Sequence, residues 1–213
     1  MSAGTDNVAL LTALRRAGVT DNRLLDAVSL VPRREFVPPS LADQADLDAP
    51  LRIPHGQVTT QPSLVARMVE ALALTGEERM LEVGTGYGWQ TALLAHLADE
   101  VWSVERWPDI AEMARDNLAR AGIGNATVVV ADGSEGLAEH APYEAILVSA
   151  AFPEVPAPLA AQIVVGGRLV QPIGPGGRED VVLFECGAEG LSARRTIVGA
   201  HFVRLIGRRA FPS

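Results

Sequence analysis

Residues 79–90 read Arg-Met-Leu-Glu-Val-Gly-Thr-Gly-Tyr-Gly-Trp-Gln, and the rest of the chain falls into place around them. Residues 80–83 have the apolar make-up of a buried strand, with one acid, Glu82, near its end. Gly84, Gly86 and Gly88 follow at alternate positions and lead into a helix-like segment. Glycines so spaced let the backbone turn sharply and let a ligand lie close against it. The order is G-x-G-x-G, which differs from the G-x-G-x-x-G of dinucleotide binders. No Gly-Lys-Ser/Thr ending follows, so a phosphate-cradling P-loop is excluded.

Downstream of this turn, apolar runs and helical periodicity alternate. The pattern predicts a helix over 90–98, a strand over 101–104, and a helix over 108–121 with Pro108 in its first turn. Strands follow at 127–130 and 145–148, then a helix at 158–163 halted by Gly166-Gly167, and a strand at 168–172. Segments 181–186 and 194–198 read as a hairpin turning near 187–190, which completes seven strands, and 203–206 is a candidate for an additional last one.

Upstream, amphipathic helices are expected at 8–17 and 22–30, the second capped by Asp21 and closed by Pro32. Residues 32–62 hold six prolines and no regular pattern; a loop this long in a compact domain is usually functional or disordered. A helix at 63–74 leads into the glycine turn. The fold class is therefore α/β: a doubly wound, mostly parallel seven-stranded Rossmann-like sheet with an N-terminal helical and loop extension and a C-terminal antiparallel hairpin. The chain is expected to be a single domain over 1–213. Its parts are a helical and lid region at 1–62, an α/β core at 63–207 and a tail at 208–213 that shows no usable pattern.

Composition narrows the partners. The 213 residues are 48% hydrophobic and 21% charged, as in ordinary globular proteins. A formal net charge of −8 argues against non-specific binding to nucleic acid or anionic membranes. All 18 basic residues are arginine, which reads as coding bias. The lone Cys186 excludes an internal disulfide and a cysteine metal cage, and His55, His96, His140 and His201 are too scattered for a zinc site. Asp6 precedes an apolar run that ends in Arg15-Arg16, the reverse of a signal peptide, and no apolar stretch nears the ~18 residues of a membrane span. A cytoplasmic monomer is expected.

Two acids join the glycines. Glu105 ends the second core strand, where a carboxylate can accept from both ribose hydroxyls of a nucleoside; alone it would pass for a solvated charge. Asp132-Gly133 ends the third, where the acid can accept from an adenine amine and the glycine lets the ring lie close; alone it would pass for a turn. Strand-end placement puts all three features in one cleft. Together they resemble the S-adenosylmethionine site of class I methyltransferases, in which an acid placed like Glu82 lies near the methionine end.

Further stretches narrow the resemblance. Val31 to Pro38 (VPRREFVP), Ile53 to Pro62 (IPHGQVTTQP), Leu81 to Gln90, Val104-Glu105-Arg106, Ala131 to Ser134 and Ser149 to Pro156 are similar to the signatures of protein-L-isoaspartate O-methyltransferases, in the same order. Residues 166–174 and 201–205 complete the set. The resemblance implies methyl transfer from S-adenosylmethionine to the free carboxylate of L-isoaspartyl or D-aspartyl residues in damaged proteins, leaving S-adenosylhomocysteine. The ester then collapses to a succinimide that can reopen as aspartate.

Thr60 stands where the family places its active-site serine, and Arg204 departs from a Phe-Val-Pro-Leu pattern in the substrate wall. The residue patterns and the resemblance together assign Thr59, Glu82, Gly84, Thr85, Gly86, Gly88, Glu105, Asp132 and Gly133 to the cofactor. The resemblance assigns His55, Gln57, Val58, Gln61, Val203 and Arg204 to the substrate, and Thr60 to catalysis; no metal is expected. His55 also reads as an ordinary hydrogen-bonded loop histidine. Three alternatives stay open: an offshoot that esterifies an aspartate of a dedicated peptide to form aspartimide, a cofactor-binding module without catalysis, and, more weakly, an NAD-dependent oxidoreductase.

Overall fold

Alternation along the strands decides where every element packs. A computed structural model describes residues 7–212; Asp6 and the terminal Ser213 lie outside the described residues. The strands are β1 (Arg79–Val83), β2 (Glu100–Glu105), β3 (Ala126–Val130), β4 (Tyr143–Val148), β5 (Ile163–Ile173), β6 (Glu179–Gly187) and β7 (Gly190–Ala200). The helices are α1 (Val8–Arg16), α2 (Asn22–Leu30), α3 (Pro62–Ala71), α4 (Trp89–Ala95), α5 (Pro108–Arg120) and α6 (Ala157–Ala161). Side chains at successive strand positions face opposite ways. Met80, Ala145 and Leu147 thus enter a core with α1 to α5, whereas Leu81, Val83, Ile146 and Val148 enter a second core with Leu159 of α6 and Leu205.

The sheet order is β3-β2-β1-β4-β5-β6-β7. Strands β1 to β5 are parallel, and β6 runs antiparallel to both β5 and β7. From β1 the chain winds out through β2 and β3 and then returns to β4 on the other side, so strand order reverses between β1 and β4. A crevice opens at the carboxyl ends of the strands at such a point. Gly84 and Ser149 are the first residues beyond those two strands, joined to the ladder by Gly84 N–H to Val104 O and Ser149 N–H to Val83 O, both 2.9 Å.

The expected N-cap is present: Asp21 accepts from the N–H groups of Arg23 and Leu24. Two expectations need correction. The helix over 158–163 ends at Ala161, and Gly166-Gly167 lie inside β5 rather than stopping a helix. A Cβ at Gly167 would stand 2.6 Å from Ile163 Cγ1, Gly166 has φ +86°, and the β4–β5 register shifts here; the pair marks an irregularity where backbones approach closely. Segment 203–206 forms no strand. It makes isolated bridges, Ala151 with Arg204 and Ile206 with Phe211, as it crosses the strand ends.

The proline-rich stretch is also more ordered than its sequence suggests, with 3-10 turns at Arg33–Phe36 and Pro39–Gln44 and a bridge from Arg52 to Val58. Among the described residues no helix is long and apolar enough to cross a membrane.

Candidate active site

The glycine turn opens a cleft of about 1080 Å³, counting its open mouth, at the β1–β4 crevice. Gly84 has φ +98°, and a Cβ there would press on Ser149 Cβ at 3.3 Å. Gly86 has φ +55° and nothing within 4 Å of an added Cβ, so its bare face is open to a ligand. Gly88 does not line the cleft; it packs α4 against Ala114 and Leu118 of α5. Gly133 does line it, and a Cβ there would fall 2.4 Å from Val83 Cγ1.

Glu105 is buried at the cleft wall and ties the turn down. Its Oε2 accepts from Gly86 N–H at 3.0 Å; its Oε1 accepts from Arg106 and Trp107 N–H at 2.8 and 3.1 Å. Burial raises its pKa, against the pull of those three donors. Glu82 lies beneath the turn, fully buried, and does not line the cleft. Its carboxylate accepts from Gln90 Nε2 at 2.7 Å and from the Thr91 and Ser103 hydroxyls at 2.5 Å. Desolvation nevertheless pushes its pKa up to about 7. Thr85 lines the cleft, its hydroxyl paired with that of Ser103.

Asp132 falls outside the main cleft, in a second one beside Ile206 and Arg208. Its Oδ1 accepts from the Ser134 N–H and hydroxyl, and its Oδ2 from Arg208 N–H at 2.7 Å. Burial works to raise its pKa, but these donors outweigh it and hold the carboxyl below its usual range. The tail that showed no pattern therefore docks on a residue that did.

The opposite wall hangs on Arg33, which is 1% exposed. Its guanidinium donates to the carbonyls of Ala45, Leu47 and Ala49 and to Thr59 Oγ1. Burial lowers its pKa to about 10, opposed by Asp48 and Asp46. Thr59 lines the cleft, but its hydroxyl is occupied, accepting also from Leu51 N–H. Thr60 lines the cleft and its hydroxyl makes no hydrogen bond to a described residue.

Gln57, Val58, Val203 and Arg204 share the cleft, whereas Gln61 and His55 do not line it. Gln61 donates to Asp48, whose other oxygen accepts from Ser63 N–H in the first turn of α3. His55 stacks on Trp107 with ring centroids 4.0 Å apart and pairs with Asp109 at 2.8 Å, linking the loop to the start of α5.

Sequence reasoning missed Arg33, Gln90 and Ser149, which also line the cleft. All three lie in the stretches that resemble the family signatures, and Ser149 is also the residue that follows β4. Among the described residues no cluster of His, Cys, Asp and Glu could hold a metal ion.

A profile of the protein-L-isoaspartate(D-aspartate) O-methyltransferase family matches residues 5–210. The chain belongs to that family. A protein-L-isoaspartate O-methyltransferase of Methanoculleus marisnigri is 49% identical over 195 residues, covering 92% of this chain and 88% of the relative. One from Anaeromyxobacter dehalogenans is 47% identical, covering 90% and 93%. A solved protein-L-isoaspartate O-methyltransferase superposes with TM-score 0.83 at 29% identity, over 94% of this chain and 66% of that one. A Plasmodium falciparum structure, described as such an enzyme in complex with S-adenosyl-L-homocysteine, shares the fold with TM-score 0.81 at 21% identity, over 95% and 99%. The chain is thus a methyltransferase by family, and its fold is that of the solved relative at 29% identity.

Proposed function

We propose that this protein repairs damaged polypeptides by moving a methyl group from S-adenosylmethionine to the free carboxylate of L-isoaspartyl or D-aspartyl residues. The observation that carries the proposal is that Thr60, with an unengaged hydroxyl, lines the same cleft as the glycine turn and Glu105. The cleft fits the cofactor chemically. Gln90 is buried and lines it, and its Oε1 has no hydrogen-bond partner. Its Nε2 is committed to Glu82 and Ser149, which fixes the free atom as an acceptor suited to an ammonium group. Glu105 uses three of its roughly four acceptor positions on the backbone, leaving capacity for a ribose hydroxyl.

Gly84, Thr85, Gly86, Glu105 and Gly133 would hold the nucleoside, with Glu82 acting through Gln90 and with Gly88 setting α4. When bound, S-adenosylmethionine supplies an electrophilic methyl group. Asp132 is assigned to the adenine end, acting through the Arg208 segment it anchors.

A carboxylate with a reference pKa of roughly 3.9 is already ionised at neutral pH, so its attack needs no general base. The protein's task is alignment and removal of water, which can be worth roughly 7–11 kcal/mol of barrier. Thr60 donates a hydrogen bond to the acceptor carboxylate, and Arg33 holds the neighbouring Thr59 so that this hydroxyl is fixed in place. Gln57, Val58 and Val203 shape the acceptor pocket; Gln61 and His55 serve by anchoring the loop. Residues 1–62 act as lid and acceptor wall over the 63–207 core of one domain, with 208–213 as its tail.

The protein acts as a cytoplasmic monomer on peptides and proteins, without nucleic acid or membrane. The net charge of −8 supports that reading.

The test pairs methyl-labelled S-adenosylmethionine with matched isoaspartyl and aspartyl peptides. Selective labelling of the isoaspartyl peptide is expected. Labelling of the aspartyl peptide alone would replace repair with dedicated aspartate esterification, and labelling of neither would remove the assigned acceptor. Thr60→Ala should lower kcat about 100-fold through lost alignment of the acceptor carboxylate, while cofactor affinity stays within about twofold. Unchanged turnover would sink the role given to Thr60.

A further inference from the structure

Three arginines, Arg33, Arg106 and Arg204, and one carboxylate, Glu105, line the cleft of a chain whose formal net charge is −8. Arg33 spends its guanidinium on four loop acceptors, and Arg106 packs over Trp107. Arg204 differs. It is exposed at the cleft, and among the described residues it has no hydrogen bond or ion pair through its side chain.

It is nevertheless held in place. Its backbone is locked by Ala151 N–H to Val203 O and Leu205 N–H to Ala151 O, both 2.8 Å. Its stem crosses Gly176 so closely that a Cβ there would stand 2.7 Å from Nε. Its guanidinium carbon lies 5.0 Å from the Phe211 ring centroid, and Phe211 in turn packs edge-on against Phe152 at 5.1 Å. The contact with Phe211 holds the guanidinium while its N–H donors stay without a hydrogen-bond partner among the described residues, and such donors can receive a carboxylate bidentately.

We infer that Arg204 is a specificity residue that selects acceptors carrying an acidic side chain next to the damaged residue. The inference rests on the peptide-methylating reading above. The carboxylate it takes is not the one that reacts. That oxygen loses its negative charge as the methyl transfers, so a guanidinium on it would stabilise the ground state more than the transition state. Arg204 is a cationic rim contact in an acidic protein, favouring the acidic segments that the overall charge would repel.

The experiment measures kcat and KM for three isoaspartyl peptides that differ only in a flanking Glu, Gln or Lys, with the natural chain, Arg204→Gln and Arg204→Lys. The natural chain should prefer the Glu peptide over the Gln peptide by roughly five- to tenfold in kcat/KM, through KM, as for one bidentate charge-assisted contact. High salt should shrink the ratio. Arg204→Gln should bring the Glu-to-Gln ratio near one, and Arg204→Lys should keep part of it. A ratio near one in the natural chain, or one that survives in Arg204→Gln, overturns the inference. So does an equal fall in kcat for all three peptides, which would put Arg204 on the reacting carboxylate. If no isoaspartyl peptide is methylated, the acceptor reading fails. The charge preference is then still decided by fluorescence anisotropy of the same labelled peptides with S-adenosylhomocysteine present: discrimination lost in Arg204→Gln supports it, and equal binding overturns it.

Discussion

The two walls of the cleft are built differently. The cofactor wall continues the parallel sheet: Gly84 and Ser149 extend the ladder of β1, and Glu105 at the end of β2 pins Gly86 through its backbone N–H. Its position is set by many backbone bonds that the sheet would make in any case. The proposed acceptor wall, residues 33–62, joins no strand of the sheet and has only the short pairing around Arg52 and Val58. One buried guanidinium gathers three carbonyls and Thr59, and one carboxylate, Asp48, joins the loop to α3. A wall held by a sheet is stable wherever the domain is folded. A wall held by a few side chains can open locally at a cost well below global unfolding. That suits a surface that must admit a polypeptide.

The difference is broken most strongly at Arg33. Arg33→Ala takes the donor from the Ala45 and Ala49 carbonyls, strips one of two donors from Leu47 and Thr59, and opens a void, so the folded state should lose about 3 kcal/mol or more. Amide hydrogen exchange should show protection lost across 44–60 and retained in β1 and β2. Equal loss in both walls would show that they are one cooperative unit.

The cofactor wall is probed by Glu82, whose ordinary pKa of 4.5 rises to about 7 on burial. Between those values the folded state holds a proton that the unfolded chain has released. The stabilisation is therefore fully present below pH 4.5 and is lost as pH climbs through about 7. At about 1.4 kcal/mol per tenfold, that loss amounts to roughly 3 kcal/mol. Denaturation midpoints of Glu82→Gln should fall less steeply from pH 5 to 8 than those of the natural chain; parallel curves would refute the shift.

The smallest effect belongs to the link between the walls. His55 and Asp109 meet at the surface, where ion pairs contribute little, so His55→Ala should change kcat/KM by no more than about threefold. A much larger fall would give His55 a part in the chemistry.

Much of this architecture was legible before any coordinates. The apolar strand runs, the G-x-G-x-G turn and the strand-end acids give an α/β sheet with a cleft at 84–88, and the Asp21 cap appears as expected. What escaped was non-local. Nothing in the neighbours of Arg33 says that it is buried, because its partners lie 12 to 26 residues away on a loop without periodicity. The Gly166-Gly167 pair read as a helix stop because a bulge within a strand uses the same residues as a turn. Asp132 is where strand patterning puts it, but its carboxylate is engaged by Arg208, some 76 positions away.

The sequence by itself determined the sheet and the turn, since these follow from periodicity and from motifs a few residues long. Only the tertiary structure decided which side chains are left unengaged. Thr59 and Thr60 are neighbours with the same hydroxyl, yet Arg33 and Leu51 bind the first while the second is left open to the cleft. Arg33 and Arg204 carry the same charge, but one is spent on the loop and the other holds its donors at the rim. Hydrogen-bonding capacity is written in the residue type; whether it is used depends on partners that only folding brings within reach.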